Sequence, residues 1–207
     1  MEENYENYKL EDDDDEAVTA RRKTLWSLMP QVMIMPTAGW EKVKNEGPSP
    51  EIASIRFLMP MSLLSGASAF FSYIYPDTSL QDEGRFTVLL VNAVIAFCSF
   101  FLGYYVALVM MKVFLPKDSR WLPSSDFGKL MTMTGIGTLA FFHIIFEAFP
   151  MLDFILVFLP LWTIFLIFRG ILVADLHSDK QILAISMACL VIIASPTLIE
   201  WVLALFV

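Results

Sequence analysis

"FTVLLVNAVIAFCSFFLGYYVALVMM", residues 86–111, contains no Asp, Glu, Lys or Arg. As a helix rising ~1.5 Å per residue it would outrun a bilayer's hydrocarbon core, which ~20 apolar residues cross. Residues 57–75, 130–146, 154–168 and 181–199 are equally free of these charges. Composition agrees, at 57% hydrophobic and only 17% charged, with 18 Phe and 12 Met. A soluble domain is nearer half apolar and a quarter charged. The chain therefore reads as all-α, a polytopic membrane protein built as a five-transmembrane-helix bundle. The spans fall near 57–75, 86–111, 130–148, 150–168 and 181–207, the fourth beginning about Pro150 and tolerating Asp153 at its outer end. The first 24 residues are polar and acidic with no apolar core, so no cleavable signal peptide is expected.

Charge sets the orientation. With the N-terminus cytoplasmic, the inner segments are 1–56, 112–129 and 169–180, and of 14 basic residues only Arg85 falls outside. The positive-inside rule reads this as N-in, C-out. The formal charge of −8 comes from the tail: residues 1–16 hold nine acids against Lys9 alone, and the rest is balanced. Residues 1–24 read as a disordered acidic tail, either a docking arm for a basic partner or a solvated arm, composition favouring the latter. Its four consecutive aspartates, Asp12–Asp15, lack the alternation and Gly of a calcium loop.

Residues 25–56 form a juxtamembrane segment. Within it, Pro36 or Thr37 can start a helix and Gly47 with Pro48 can stop it. Trp40 and Val43 share one face, while Glu41, Lys42 and Lys44 spread over the rest. This predicts an N-terminal amphipathic surface helix on the inner leaflet, preceded by an apolar piece, Leu25–Met35, with Trp40 as interfacial anchor. The helix is too short to bind a membrane alone, so it should pack on the bundle.

Here a resemblance enters. The order "MPTAGWEKV" (35–43), "NEGPSP" (45–50), a span opening "FLMPM" (57–61) and four further spans resembles the bacterial branch of the Yip (Ypt-interacting protein) family. The likeness covers roughly residues 28–207, its most specific part being Pro36–Trp40 with Gly47, Pro48 and Pro50. It implies a five-helix domain in the bacterial cytoplasmic membrane with a cytoplasmic N-terminus. Eukaryotic relatives associate with prenylated Rab-type GTPases; this sequence lacks the Asp-Leu-Tyr-Gly-Pro motif of that branch, so the Rab role is not carried over.

Ionisable residues inside a membrane are costly and are functional candidates. They are His143 and Glu147 in the third span, Asp153 at the start of the fourth and Glu200 in the fifth, with Asn92 a further polar candidate in the second. Counting ~1.5 Å per residue from the outer turns puts all five in the outer half of the bilayer, His143, Glu200 and Asn92 about 10 Å deep. His143 and Glu147, at i and i+4, share a helical face. A His with carboxylates could bind a divalent metal through His143 and Glu147, relay protons or hold a cationic head group. The plainer alternative is that Glu147 and Asp153 sit in the interfacial zone while His143 bonds a neighbouring helix.

Other motifs are spare. Cys98 and Cys189 lie in spans and behave as small apolar residues, and Asp126–Gly128 ("DFG") lacks every companion of a kinase motif. Lys112, Arg169, Asp175 and His177 near inner span ends suit lipid head groups. Ser99, Gly103 and Ala107, with Ala184 and Ala188, form small-residue stripes suited to close helix approach. Pro196 should kink or break the fifth helix one turn before Glu200, freeing carbonyls there.

The expectation is a non-enzymatic membrane protein, without cofactor, that organises membrane or recruits a protein partner at its N-terminal cytoplasmic segment. The alternative is a small oligomeric transporter, channel or lipid-handling protein using the outer polar cluster. The lipid bilayer is its surrounding partner, a homo-oligomer is compatible with its size, and no nucleic-acid partner is expected. A reporter fused after Val207 should appear outside the cell, and cysteines placed at Thr24 and Pro123 should be cytoplasmic. Labelling of Pro123→Cys from outside in intact cells would refute this topology.

Overall fold

The computed structural model describes residues 23–73, 85–152, 158–174 and 181–206. The acidic tail, Asp153, Asp175 and His177 lie outside the described residues. Those that are described form helices and no strand. We number the helices α1 (Leu25–Ile34), α2 (Pro36–Glu46), α3 (Pro50–Phe71), α4 (Arg85–Phe114), α5 (Asp126–Ala148), α6 (Leu159–Val173) and α7 (Gln181–Ala204).

Helices α3, α4, α5 and α7 are long and apolar enough to cross a membrane, as in an integral membrane protein. The predicted fourth span corresponds to α6, which has 15 described residues. Large apolar side chains such as Val94, Val109 and Leu190 stand exposed around the bundle, as lipid-facing residues would.

The first span begins earlier than charge alone suggested. Helix α3 starts at Pro50, so Arg56 lies within it and not before it. Its Ser54–Leu58 stretch is a π-helical turn, a local widening. Pro60, four residues after Arg56, has no N–H to give the Arg56 carbonyl. The indole Nε1 of Trp26 donates to that carbonyl instead, at 2.7 Å. A proline in one helix thereby fixes a tryptophan of another.

Helix α5 is the central mast. Every residue from Leu130 to Thr138 is buried, and α2, α3, α4, α6 and α7 all pack against it. Its small residues and threonines permit this. Thr132, Thr134 and Thr138 each donate their hydroxyl to the carbonyl four residues back, at 2.8 Å, so none of these three hydroxyls needs a partner from another helix. Ser125 caps the helix start, accepting from the Gly128 N–H at 3.1 Å. That cap is the structural role of the "DFG" stretch.

Helices α1 and α2 fold against each other and onto one end of the bundle. Trp40 is fully buried; its Nε1 donates to the Leu166 carbonyl at 2.8 Å, and its ring meets Phe127 edge-on. Gly170 makes the slot, since a Cβ there would lie 3.0 Å from both Trp40 Cε2 and Met131 Sδ. Lys44 donates to the Val173 carbonyl at 3.0 Å, capping the last turn of α6. Lys23 pairs with Glu46 at 2.7 Å, and its ammonium holds the Glu46 carboxyl below the ordinary glutamate value.

The Ser99–Gly103–Ala107 and Ala184–Ala188 stripes are buried inside the bundle, where α4 and α7 share its most extensive interface. A Cβ on Gly103 would lie 3.2 Å from the Cα of Pro196. Pro196 does not break its helix: α7 runs through it without interruption. The carbonyl it deprives of a partner is that of Ile192, and the Ser195 hydroxyl donates to it at 3.3 Å. It is therefore not left open beside Glu200.

Pro123 is buried, so the topology label belongs one residue on, at exposed Ser124. Trp40→Ala should destabilise the chain by about 3 kcal/mol, as for large buried aromatics. Trp40→Phe, which keeps a ring but loses the donor, should lose about 1 kcal/mol. Gly170→Leu should mimic Trp40→Ala by filling the slot. Thermal unfolding in detergent, read by circular dichroism, checks the order; equal midpoints for wild type and Trp40→Ala would refute the anchoring role.

Candidate functional site

The end of the bundle away from α1 and α2 holds a cavity of about 510 Å³. Asn92 of α4, His143 and Glu147 of α5 and Glu200 of α7 all line it, as does Pro196. Four of the five polar candidates thus surround one space; the fifth, Asp153, lies outside the described residues. Their exposure differs. His143 and Glu147 are partly buried, whereas Glu200 and Asn92 are exposed, so Glu200 is a rim residue and not a deeply buried acid.

His143 is held from three directions. Its Nδ1 shares a 3.1 Å hydrogen bond with the Ser65 hydroxyl of α3. The Phe100 ring meets the imidazole edge-on at 5.4 Å. Its Nε2 faces the Glu147 carboxylate at 3.9 Å, too long for a hydrogen bond and an ion pair only when the imidazole is protonated. Ser65 is in turn fixed by the Ser68 hydroxyl, which donates to its carbonyl at 2.6 Å.

A serine, a histidine and a glutamate in line resemble a hydrolytic triad, but burial argues otherwise. Ser65 has no exposed surface, so its hydroxyl has no route to a substrate. A triad nucleophile must reach the scissile atom. Here the serine orients the imidazole and leaves Nε2 toward Glu147. As for metals, among the described residues no three His, Cys, Asp or Glu side chains cluster to hold an ion. Among those residues, His143 and Glu147 are joined by no third protein ligand of the kind divalent sites commonly use.

Two contributors escaped the sequence reading. Ser65 belongs to a serine run at helical spacing, Ser62, Ser65 and Ser68, all buried on α3, and that periodicity was the available signal. Ser99 reads as a packing residue, and it does pack; it also lines the cavity, 3% exposed, with a hydroxyl that has no partner. Nothing in the sequence separates those two roles, because both need a small residue facing inward.

At the other end, Lys112 is exposed, while Arg169 stacks on Phe165, its guanidinium carbon 5.7 Å from the ring centroid. These residues do not join a cavity with His143. In comparisons with known proteins, the chain matches no family model, no curated protein and no solved structure.

Proposed function

We propose that this chain is a non-enzymatic, five-span membrane protein that takes an amphiphile from the bilayer into the cavity of Asn92, His143, Glu147 and Glu200. The observation that carries this reading is the cavity itself, about 510 Å³, where polar side chains of three helices meet phenylalanine walls. Ligand sites are concave, mostly apolar and marked by a few convergent polar groups. With the N-terminus cytoplasmic, the positive-inside orientation puts this site in the outer half of the membrane. Of the functions the sequence allows, lipid handling is therefore the one the geometry favours. The test is to close the space: Thr197 is exposed on its lining, so Thr197→Trp adds bulk without opening a core void. Native mass spectrometry of the purified chain should show co-purifying lipid, reduced about tenfold in Thr197→Trp, a change of ~1.4 kcal/mol. A wild-type chain free of lipid would refute the reading.

A second reading, partner recruitment at the cytoplasmic face of a bacterial cytoplasmic membrane, rests on the Yip resemblance and on one observation. The α1–α2 pair is anchored through Trp40 and Lys44 while Thr37, Glu41 and Asn45 stay outward. A fixed, polar outer face is a surface a protein partner, or a second copy of the chain, could read. A photocrosslinker at Glu41 should capture one discrete partner in intact membranes. The same adduct from exposed Leu205, at the other end, would count against it.

A further inference from the structure

A second hollow lies beside the cavity. It is an apolar groove of about 660 Å³ between α6 and α7, lined by Ile164, Cys189, Leu190, Ala194, Leu198 and Trp201 among others. The two spaces share Ile193 and Thr197 of α7. On α6 they meet one turn apart, Pro160 lining the cavity and Ile164 the groove. Along α7 the groove runs from Ser186 to Trp201 while the cavity reaches from Ile193 to Ala204. The chamber near the end of the bundle thus adjoins, across Ile193 and Thr197, an apolar groove that follows roughly 20 Å of α7 toward the other end. Exposed Leu190 and Leu198 leave the groove open to surrounding lipid.

The chamber also has a charge sign. Among the described residues, its lining includes Glu147, Glu200 and His143 and no lysine or arginine. Whether the imidazole is neutral or charged, the formal charge of these groups together is negative. Phe100, Phe142 and Phe146 add aromatic rings, which attract cations. Ser99, a residue 3% exposed whose hydroxyl has no hydrogen-bond partner, adds a polar group to the same lining. A bare metal ion would suit the carboxylates but leave most of the chamber and the whole apolar groove unfilled.

We propose that the chamber and groove together hold one ammonium-headed membrane lipid, its amine between Glu147 and Glu200 and an acyl chain along Leu190–Leu198. The proposal rests on the amphiphile reading above and names its ligand. It is tested with the full chain in mild detergent, given equal amounts of phosphatidylethanolamine, N-acetyl-phosphatidylethanolamine and phosphatidylglycerol with matched acyl chains. Native mass spectrometry counts what is retained. Phosphatidylethanolamine should exceed its N-acetylated form, which keeps the phosphate and chains but loses the charge, by about tenfold. The double variant Glu147→Gln/Glu200→Gln should erase that preference while still retaining lipid, and Thr197→Trp should lower all three lipids. If the double variant does not fold, the wild-type comparison alone decides. Equal retention of the three lipids by the wild type overturns the ammonium assignment and leaves the amphiphile reading standing. Retention of none overturns both. In a second sample given equal amounts of dodecylammonium and phosphatidylethanolamine, preferential retention of dodecylammonium overturns a phospholipid as the occupant.

Discussion

The N–H of Trp40 donates to the Leu166 carbonyl, and on that buried contact, with Lys44 to Val173 and Trp26 to Arg56 beside it, the α1–α2 pair is anchored to the bundle. In apolar surroundings no water waits to satisfy a stray donor, so an indole must find an acceptor within the protein. The acceptor is available because Gly170 leaves α6 without a side chain at the point of contact. The same rule recurs at the prolines. Trp26 serves the carbonyl that Pro60 deprives of its helical donor, and Ser195 serves the one that Pro196 deprives. At Pro60 and Pro196 the proline creates a local need, and a side chain from another helix or the same one meets it.

Satisfying polar groups internally also shapes the centre. Helix α5 could not be surrounded on all sides if its threonines needed outside partners; bonding back to their own helix frees its surface for packing. Its small side chains then let neighbours come close. Since Lys44 and Trp40 tie α2 to α6, and α6 packs on both α5 and α7, the N-terminal pair and the distant cavity are joined through shared helices.

The cavity is where these rules relax. Helices α4 and α7 meet backbone to backbone at Gly103 and Pro196, and one turn further on Ser99 and Glu200 line open space. Among the described residues, Ser99 is one of few buried side chains left unpaired, and it faces the space where polar candidates gather. Of the four buried hydroxyls left unpaired among the described residues, those of Ser62, Ser99, Ser119 and Thr163, that of Ser99 belongs to a residue lining the cavity with Glu147 and Glu200. His143, held by Ser65 and Phe100, lines the same space.

The sequence by itself determined the helical, membrane-crossing character, because uncharged runs such as 86–111 leave no other way to satisfy a backbone in lipid. It also singled out Trp40 and Val43 as one face of a helix, and His143 with Glu147 as neighbours, since both follow from a 3.6-residue period. What lay across the bundle was beyond it. That the N–H of Trp40 would find Leu166, that Ser65 would hold His143 from another helix, and that Glu200 would stand at a rim and not in the core depend on how separate helices pack. Helix boundaries were blurred for a related reason: Arg56 reads as an end marker in sequence, but α3 carries it inside a π-helical turn whose open carbonyl only Trp26, 30 residues away, explains. Periodicity reports what one helix does to its own residues, whereas contacts between helices depend on distances that only the tertiary structure sets.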